Sequence, residues 1–179
     1  MIILIILILL VVFVIHSHNV LVKTRNKAKT NWAQIDVVLK RRADLIPNLV
    51  ETVKGYAKHE ESTLEGVMAA RSRYLGATTT EEQMANAGEF TQALSRLLAV
   101  SENYPELKAN EGFIALQNTL KETEDKIQYA RQFYNDSVYG YSNKIESFPG
   151  NIIASLFGFK PMALFEVAEA DKETPKVKF

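Results

Sequence analysis

The 179-residue chain has no cysteine, so it holds no disulfide, no cysteine-ligated zinc or iron–sulfur centre and no thiol nucleophile. Glycine and proline are scarce, eight and five, which excludes a linker-rich or low-complexity chain. There are three histidines. His16 and His18 are two residues apart, and on a helix such side chains point about 200° apart and cannot share one ion. His59-Glu60 opens like a metalloprotease helix, but Thr63 stands where the second histidine would have to be. No dinucleotide fingerprint, phosphate loop or Gly-x-Ser-x-Gly elbow occurs. Glu60-Glu61, Glu81-Glu82 and Glu122-x-Glu124-Asp125 lack the histidine at i+3 that a di-iron bundle uses, and they read as solvated faces. The sequence gives no support for catalysis, a metal or a cofactor.

Net charge is also lacking: 21 Lys and Arg balance 21 Asp and Glu. That balance argues against a nucleic-acid partner. The charges are unevenly placed, however. Residues 1–22 carry none. Between Lys23 and Arg42, seven basic residues face Asp36 alone, a net of +6, which leaves 14 basic and 20 acidic residues elsewhere. The chain therefore has an apolar end, a basic collar and a mildly acidic body.

The apolar end is Ile, Leu and Val from Ile2 to Ile15, with Phe13 the one exception. A secretory signal peptide would have a basic segment before the run and a small-residue cleavage site after it; neither is present. As a helix, residues 1–22 span about 33 Å, which matches a hydrocarbon core if His16–Val22 lie at the interface. The expectation is one transmembrane span. Its collar of Lys23, Arg25, Lys27 and Lys29 predicts the N-terminus outside and the body in the cytoplasm. The same collar can attract anionic headgroups.

The body reads as all-α, with no sustained strand alternation. A stripe from Trp32 through Ile35, Leu39, Ile46, Leu49, Val53, Tyr56, Leu64, Val67 and Tyr74 predicts a helix to about Leu75, kinked near Ala43–Asp44 or broken at Ile46 by Pro47. Thr79-x-x-Glu82 reads as a capping box for a second helix ending near Ser101. A short turn at Asn103–Asn110 follows, with Asn110 able to cap a third helix that runs from Phe113 to Phe148 and stops at Pro149-Gly150. The predicted architecture is a transmembrane helix (1–22), an elongated antiparallel bundle of three long helices (23–149) and a short-helix tail (150–179). Asn151 and Gly158 read as cap and stop of one tail helix, and Pro161 as the start of another reaching Phe165 and Ala168.

Ile152, Ile153, Leu156, Phe157 and Phe165 make the tail apolar. They either cover the open end of the bundle or form an exposed groove-binding or membrane-surface helix. With directions alternating over helices of about 69, 33 and 56 Å, the third helix ends away from the bilayer. This disfavours a membrane role for the tail and favours bundle capping or a partner contact.

The densest polar sequence lies around Arg42. Arg41, Asp44, Asn48 and Glu51 recur at three and four, forming one polar stripe beside the apolar one. The plain reading is an intrahelical ladder worth a few tenths of a kcal/mol per pair. The functional reading pairs the stripe with Tyr134-Asn135 and Tyr141-Ser142-Asn143 of the third helix in a register-fixing network.

The run from Trp32 through Arg41-Arg42-Ala43-Asp44-Leu45-Ile46-Pro47-Asn48-Leu49-Val50-Glu51-Thr52-Val53-Lys54-Gly55-Tyr56 resembles the signature of the LemA family. So do Ala70-Arg71, Tyr134-Asn135-x-x-Val138, Phe148-Pro149, Gly158-Phe159, Phe165-Glu166 and Pro175-x-Val177-x-Phe179. One departure is Tyr141-Ser142, where the family pattern has a second Tyr-Asn; Asn143 follows. The resemblance implies a bacterial, membrane-anchored helical bundle with a cytoplasmic body and no established enzymatic activity. It also implies occasional association with zinc-type membrane proteases. The resulting expectation is a non-enzymatic single-pass scaffold that binds a protein partner, a membrane protease among the candidates, or copies of itself. The rivals are a ligand-binding or enzymatic bundle using Arg41, Arg42, Asp44, Asn48 and Tyr134, and a lipid-binding or membrane-shaping protein acting through the collar.

Overall fold

The computed structural model describes residues 1–166 and is all-α over them, with six helices and no strand. They are α1 (Ile2–Lys54), α2 (Glu61–Gly76), α3 (Thr80–Ser101), α4 (Pro105–Lys108), α5 (Glu111–Glu146) and α6 (Gly150–Phe157). Ala168, where the second tail helix is expected to reach, and Pro175-x-Val177-x-Phe179 lie outside the described residues.

Helix α1 runs 53 residues and passes through Pro47 instead of breaking there. A proline inside a helix costs about 3 kcal/mol. Ile46, Leu49, Val50 and Val53 are all buried around it, and each buried side chain of this kind contributes about 1.5–3 kcal/mol, so packing outweighs the penalty. The break falls instead at Gly55, where a turn held by the Tyr56 and Ala57 amides on Val53 O leads into polar Lys58–Glu60. The expected first helix is therefore two elements, α1 and α2.

The remaining boundaries follow local chemistry. Thr79 Oγ1 accepts from the Glu82 amide while Glu82 accepts from the Thr79 amide, a complete capping box for α3. Asn110 Oδ1 accepts from the Phe113 amide at the start of α5. The sequence places Asn151 as the cap of α6, but the cap position is Pro149, and Asn151 Oδ1 bonds the next amide, of Ile152. A Cβ at Gly150 would collide with Lys144 O, which accounts for glycine there. Gly158 ends α6 in the left-handed region at φ 69°. Residues 161–166 form no helix, contrary to the expected second tail helix.

The chain divides into two compact units. Unit one comprises Met1–Ile35 and Tyr129–Leu164. Its core joins Leu21 of α1, Tyr141 and Ile145 of α5, and Ile153 and Ala154 of α6, with Val14, Phe159 and Met162 packed against it. Asn31 Nδ2 donates to Phe133 O and to Ser137 Oγ, while Leu21 shares a core with Tyr141 and Ile145, so the two long helices run antiparallel here. Unit two comprises residues 36–128 and, among the described residues, Phe165 and Glu166. Within it α1 and α2 form an antiparallel pair, as Arg71 Nε donates to Ala43 O and Tyr74 Oη to Asp36. Helix α3 packs on α2, and α5 lies antiparallel to α1, pairing Arg42 with Glu124 and Tyr56 with Asn110.

Candidate functional site

Among the described residues of unit two, the most strongly desolvated charge is Arg42. It follows Leu39 by three and precedes Ile46 by four, so the α1 repeat carries it onto the buried face, where it is 1% exposed. Its guanidinium Nη1 donates to Glu124 Oε2 at 2.9 Å and to Thr91 Oγ1 at 2.9 Å, and Nη2 donates to Ala87 O at 3.4 Å. The cation lies over the Phe90 ring, 5.0 Å from its centroid. Burial lowers its pKa, opposed by the charge and hydrogen bond of Glu124. An arginine keeps its proton under such a shift, so this is a permanent buried cation clamped by α3 and α5. It presents no group that could donate or take a proton.

Next to it, Tyr74 stacks on Phe90 with centroids 6.3 Å apart and donates to Asp36 Oδ1 at 3.2 Å. Asp36 is also ion-paired with Lys40 at 2.7 Å. Burial first, then the charge and hydrogen bond of Asp36, raises the tyrosine pKa, with Arg42 opposing. A raised pKa means that the contribution of Tyr74 to stability is complete below the ordinary tyrosine value of about 10 and is lost as pH climbs through the folded value. Unfolding free energies of the native chain and of Tyr74→Phe should therefore differ by a constant amount below about pH 10 and converge as pH rises above it. Parallel pH profiles would place the hydroxyl in solvent.

The expected polar stripe is divided between environments. Arg41, Asp44, Asn48 and Glu51 are exposed, on the outside of α1, while Arg42 is buried. Tyr134 is buried in unit one, where its hydroxyl donates to Ala163 O at 2.8 Å and its ring meets Trp32 edge-on at 5.4 Å. Asn135 is half-buried in the same unit. The sequence reading missed Glu124, Thr91, Phe90 and Tyr74 as partners of Arg42. One signal was available: Glu124 stands four after Leu120 and three before Ile127, in register with the apolar stripe of α5, and so differs from Glu122 and Asp125.

In unit one the collar separates by face. Lys23, Lys27 and Lys29 are exposed, whereas Arg25 is half-buried with its guanidinium 5.0 Å from the Phe159 ring centroid. The tail residues of unit one divide in the same way: Ile153 is buried, while Ile152, Leu156 and Phe157 are exposed; Phe165, in unit two, is buried. His18 meets Phe157 and Phe159 edge-on at 4.8 and 5.5 Å, an apolar setting in which no metal ligand accompanies it. The tail does not end away from the apolar end of α1, as the alternating directions predict: within unit one α6 packs beside Leu21 of α1.

Among the described residues, one helix is long and apolar enough to cross a membrane, and none of the most apolar window of α1 is buried. No group of three His, Asp or Glu that could hold a metal is present among them. A groove of about 430 Å³ between α2 and α3 is polar, and its Arg73 and Glu89 pair with each other at 3.0 Å.

Residues 31–179 match the model of the LemA family. The chain is similar to magnetosome protein MamQ 2 of Paramagnetospirillum magneticum, 27% identical over 88% of this chain and 67% of that one. It is similar to magnetosome protein MamQ of Magnetospirillum gryphiswaldense at 25% identity over the same shares. It is also similar to protein LemA of Metamycoplasma hominis, 23% identical over 86% of this chain and 71% of that one.

Proposed function

The chain belongs to the LemA family, and from that premise we propose that it is a non-enzymatic, single-pass membrane protein whose cytoplasmic helical body is a scaffold for protein partners or for copies of itself. The observation that carries this reading is the contrast between its two kinds of charge. The buried cation, Arg42, is held by its own chain through Glu124, Thr91 and Ala87 O. The regular stripe of Arg41, Asp44, Asn48 and Glu51 faces outward on the same helix. A catalytic or ligand-binding pocket would leave its charged group accessible to the ligand; exposed charges of both signs can complement those of a partner and fix its register. The exposed apolar stretch of α1 and the basic residues after it support the anchor and the cytoplasmic placement.

The test is a combined Arg41→Glu, Asp44→Lys and Glu51→Lys variant in native membranes. These positions are exposed, so helicity by circular dichroism should be unchanged and unfolding free energy should move by less than about 0.5 kcal/mol. Cross-linked adducts of the native chain should be reduced in the variant. Full retention of the adducts would remove the stripe from the scaffold surface.

A further inference from the structure

We infer that α6 and the Phe148 turn form a second membrane contact, an interfacial element lying in the headgroup region of an anionic bilayer beside the α1 span. Their apolar side chains are divided between two faces. Ile153 and Ala154 pack on Leu21, Tyr141 and Ile145. Phe148, Ile152, Leu156 and Phe157 remain 80, 56, 71 and 49% exposed. Ile152 and Leu156 are four apart and share one face of α6, and Phe148 is exposed in the turn just before it; exposed apolar side chains grouped in this way mark an interaction surface.

Two observations identify the bilayer as what covers this patch. The first is continuity. Helix α6 and the segment after it contact α1 at Val14, His18 and Leu21, the turns that join the exposed apolar run to the first basic residue, Lys23. A cleft of about 500 Å³ at this level is lined by Phe13, Val20, Phe148 and Pro149 together with polar side chains, His16 and Lys144 among them. This mixed, mainly apolar lining suits the boundary between acyl chains and headgroups, a depth that aromatic side chains favour. The second is charge. Unit one carries seven Lys and Arg against only Asp136 and Glu146, whereas the whole chain is neutral. Lys23, Lys27, Lys29, Lys144 and Lys160 are exposed on it, which complements anionic headgroups and not an apolar protein face.

This inference rests on reading α1 as a span, and its test separates the two. Single cysteines are placed at Phe148, Ile152 and Leu156 of the otherwise cysteine-free full chain, with Ile8→Cys and Ser95→Cys as references. Each variant is labelled with an environment-sensitive fluorophore and reconstituted in phosphatidylcholine–phosphatidylglycerol vesicles containing nitroxide lipids. Labels at 148, 152 and 156 should lose most of their fluorescence to shallow nitroxides, the label at 8 to deep ones, and the label at 95 to neither. If 8 is quenched while 148, 152 and 156 behave like 95, α6 faces water and the inference fails with the span intact. Intermolecular disulfides at 152 and 156 without quenching would put a second copy on the patch and also reject it. If 8 escapes quenching, the span itself is wrong and the inference falls with it. Leu156→Asp, at an exposed site, should abolish shallow quenching at 152 while leaving the helical signal unchanged; persistent quenching would overturn the role of the patch.

Discussion

Glu124→Ala should lower the unfolding free energy by about 3 kcal/mol, the lower end of the range for breaking a buried ion pair. Arg42, 1% exposed in the native chain, keeps Thr91 and Ala87 O as acceptors, but its charge is left uncompensated. Arg42→Met should cost less, about 1 kcal/mol, because the aliphatic chain fills the same space against Phe90. The Glu124 side chain it leaves behind is 37% exposed and can be hydrated. The order of the two effects is the informative part. A structural cation makes Glu124→Ala the worse substitution in chemical denaturation. Equal or reversed costs would mean that Arg42 is more hydrated than its contacts imply.

Converting Lys23, Arg25, Lys27 and Lys29 together to Glu should invert or scramble the orientation of the chain in the membrane, because cytoplasmic flanks are selected for Lys and Arg. The change removes four positive charges and adds four negative ones immediately after the span. Labelling of a cysteine at Ser95 from either side of sealed membrane vesicles would report it. An unchanged orientation would show that the collar does not determine topology. Arg25 adds a local cost, since its guanidinium sits over Phe159 and the substitution loses that contact.

Features with a local cause were legible in the sequence. The all-α class, the capping box at Thr79-Glu82, the α3 and α5 boundaries and the Asn110 cap each depend on residues within a few positions. The α1–α2 break was not legible. Pro47 has the stronger intrinsic penalty, and only the burial of Ile46 to Val53 shows that packing carries the helix past it to Gly55. Reading one helix from the membrane to about Leu75 sends the tail away from the apolar end, whereas within unit one α6 packs beside Leu21. The Arg42 centre was partly legible. Arg42 and Glu124 each stand in register with an apolar stripe, but they are 82 residues apart, and no local pattern pairs them. The charge partition shifts in the same way: a collar in the linear sequence becomes, in three dimensions, a basic unit gathered around the apolar helix.

The scaffold reading is tested most directly by mild chemical cross-linking of the full chain in its native membranes, followed by identification of whatever is attached. The account predicts discrete adducts above the 20.2 kDa monomer, joined through residues of the body and consisting of a second copy or of a specific membrane-associated protein. Recovery of the monomer alone, under conditions that cross-link a known membrane complex in the same sample, would contradict it.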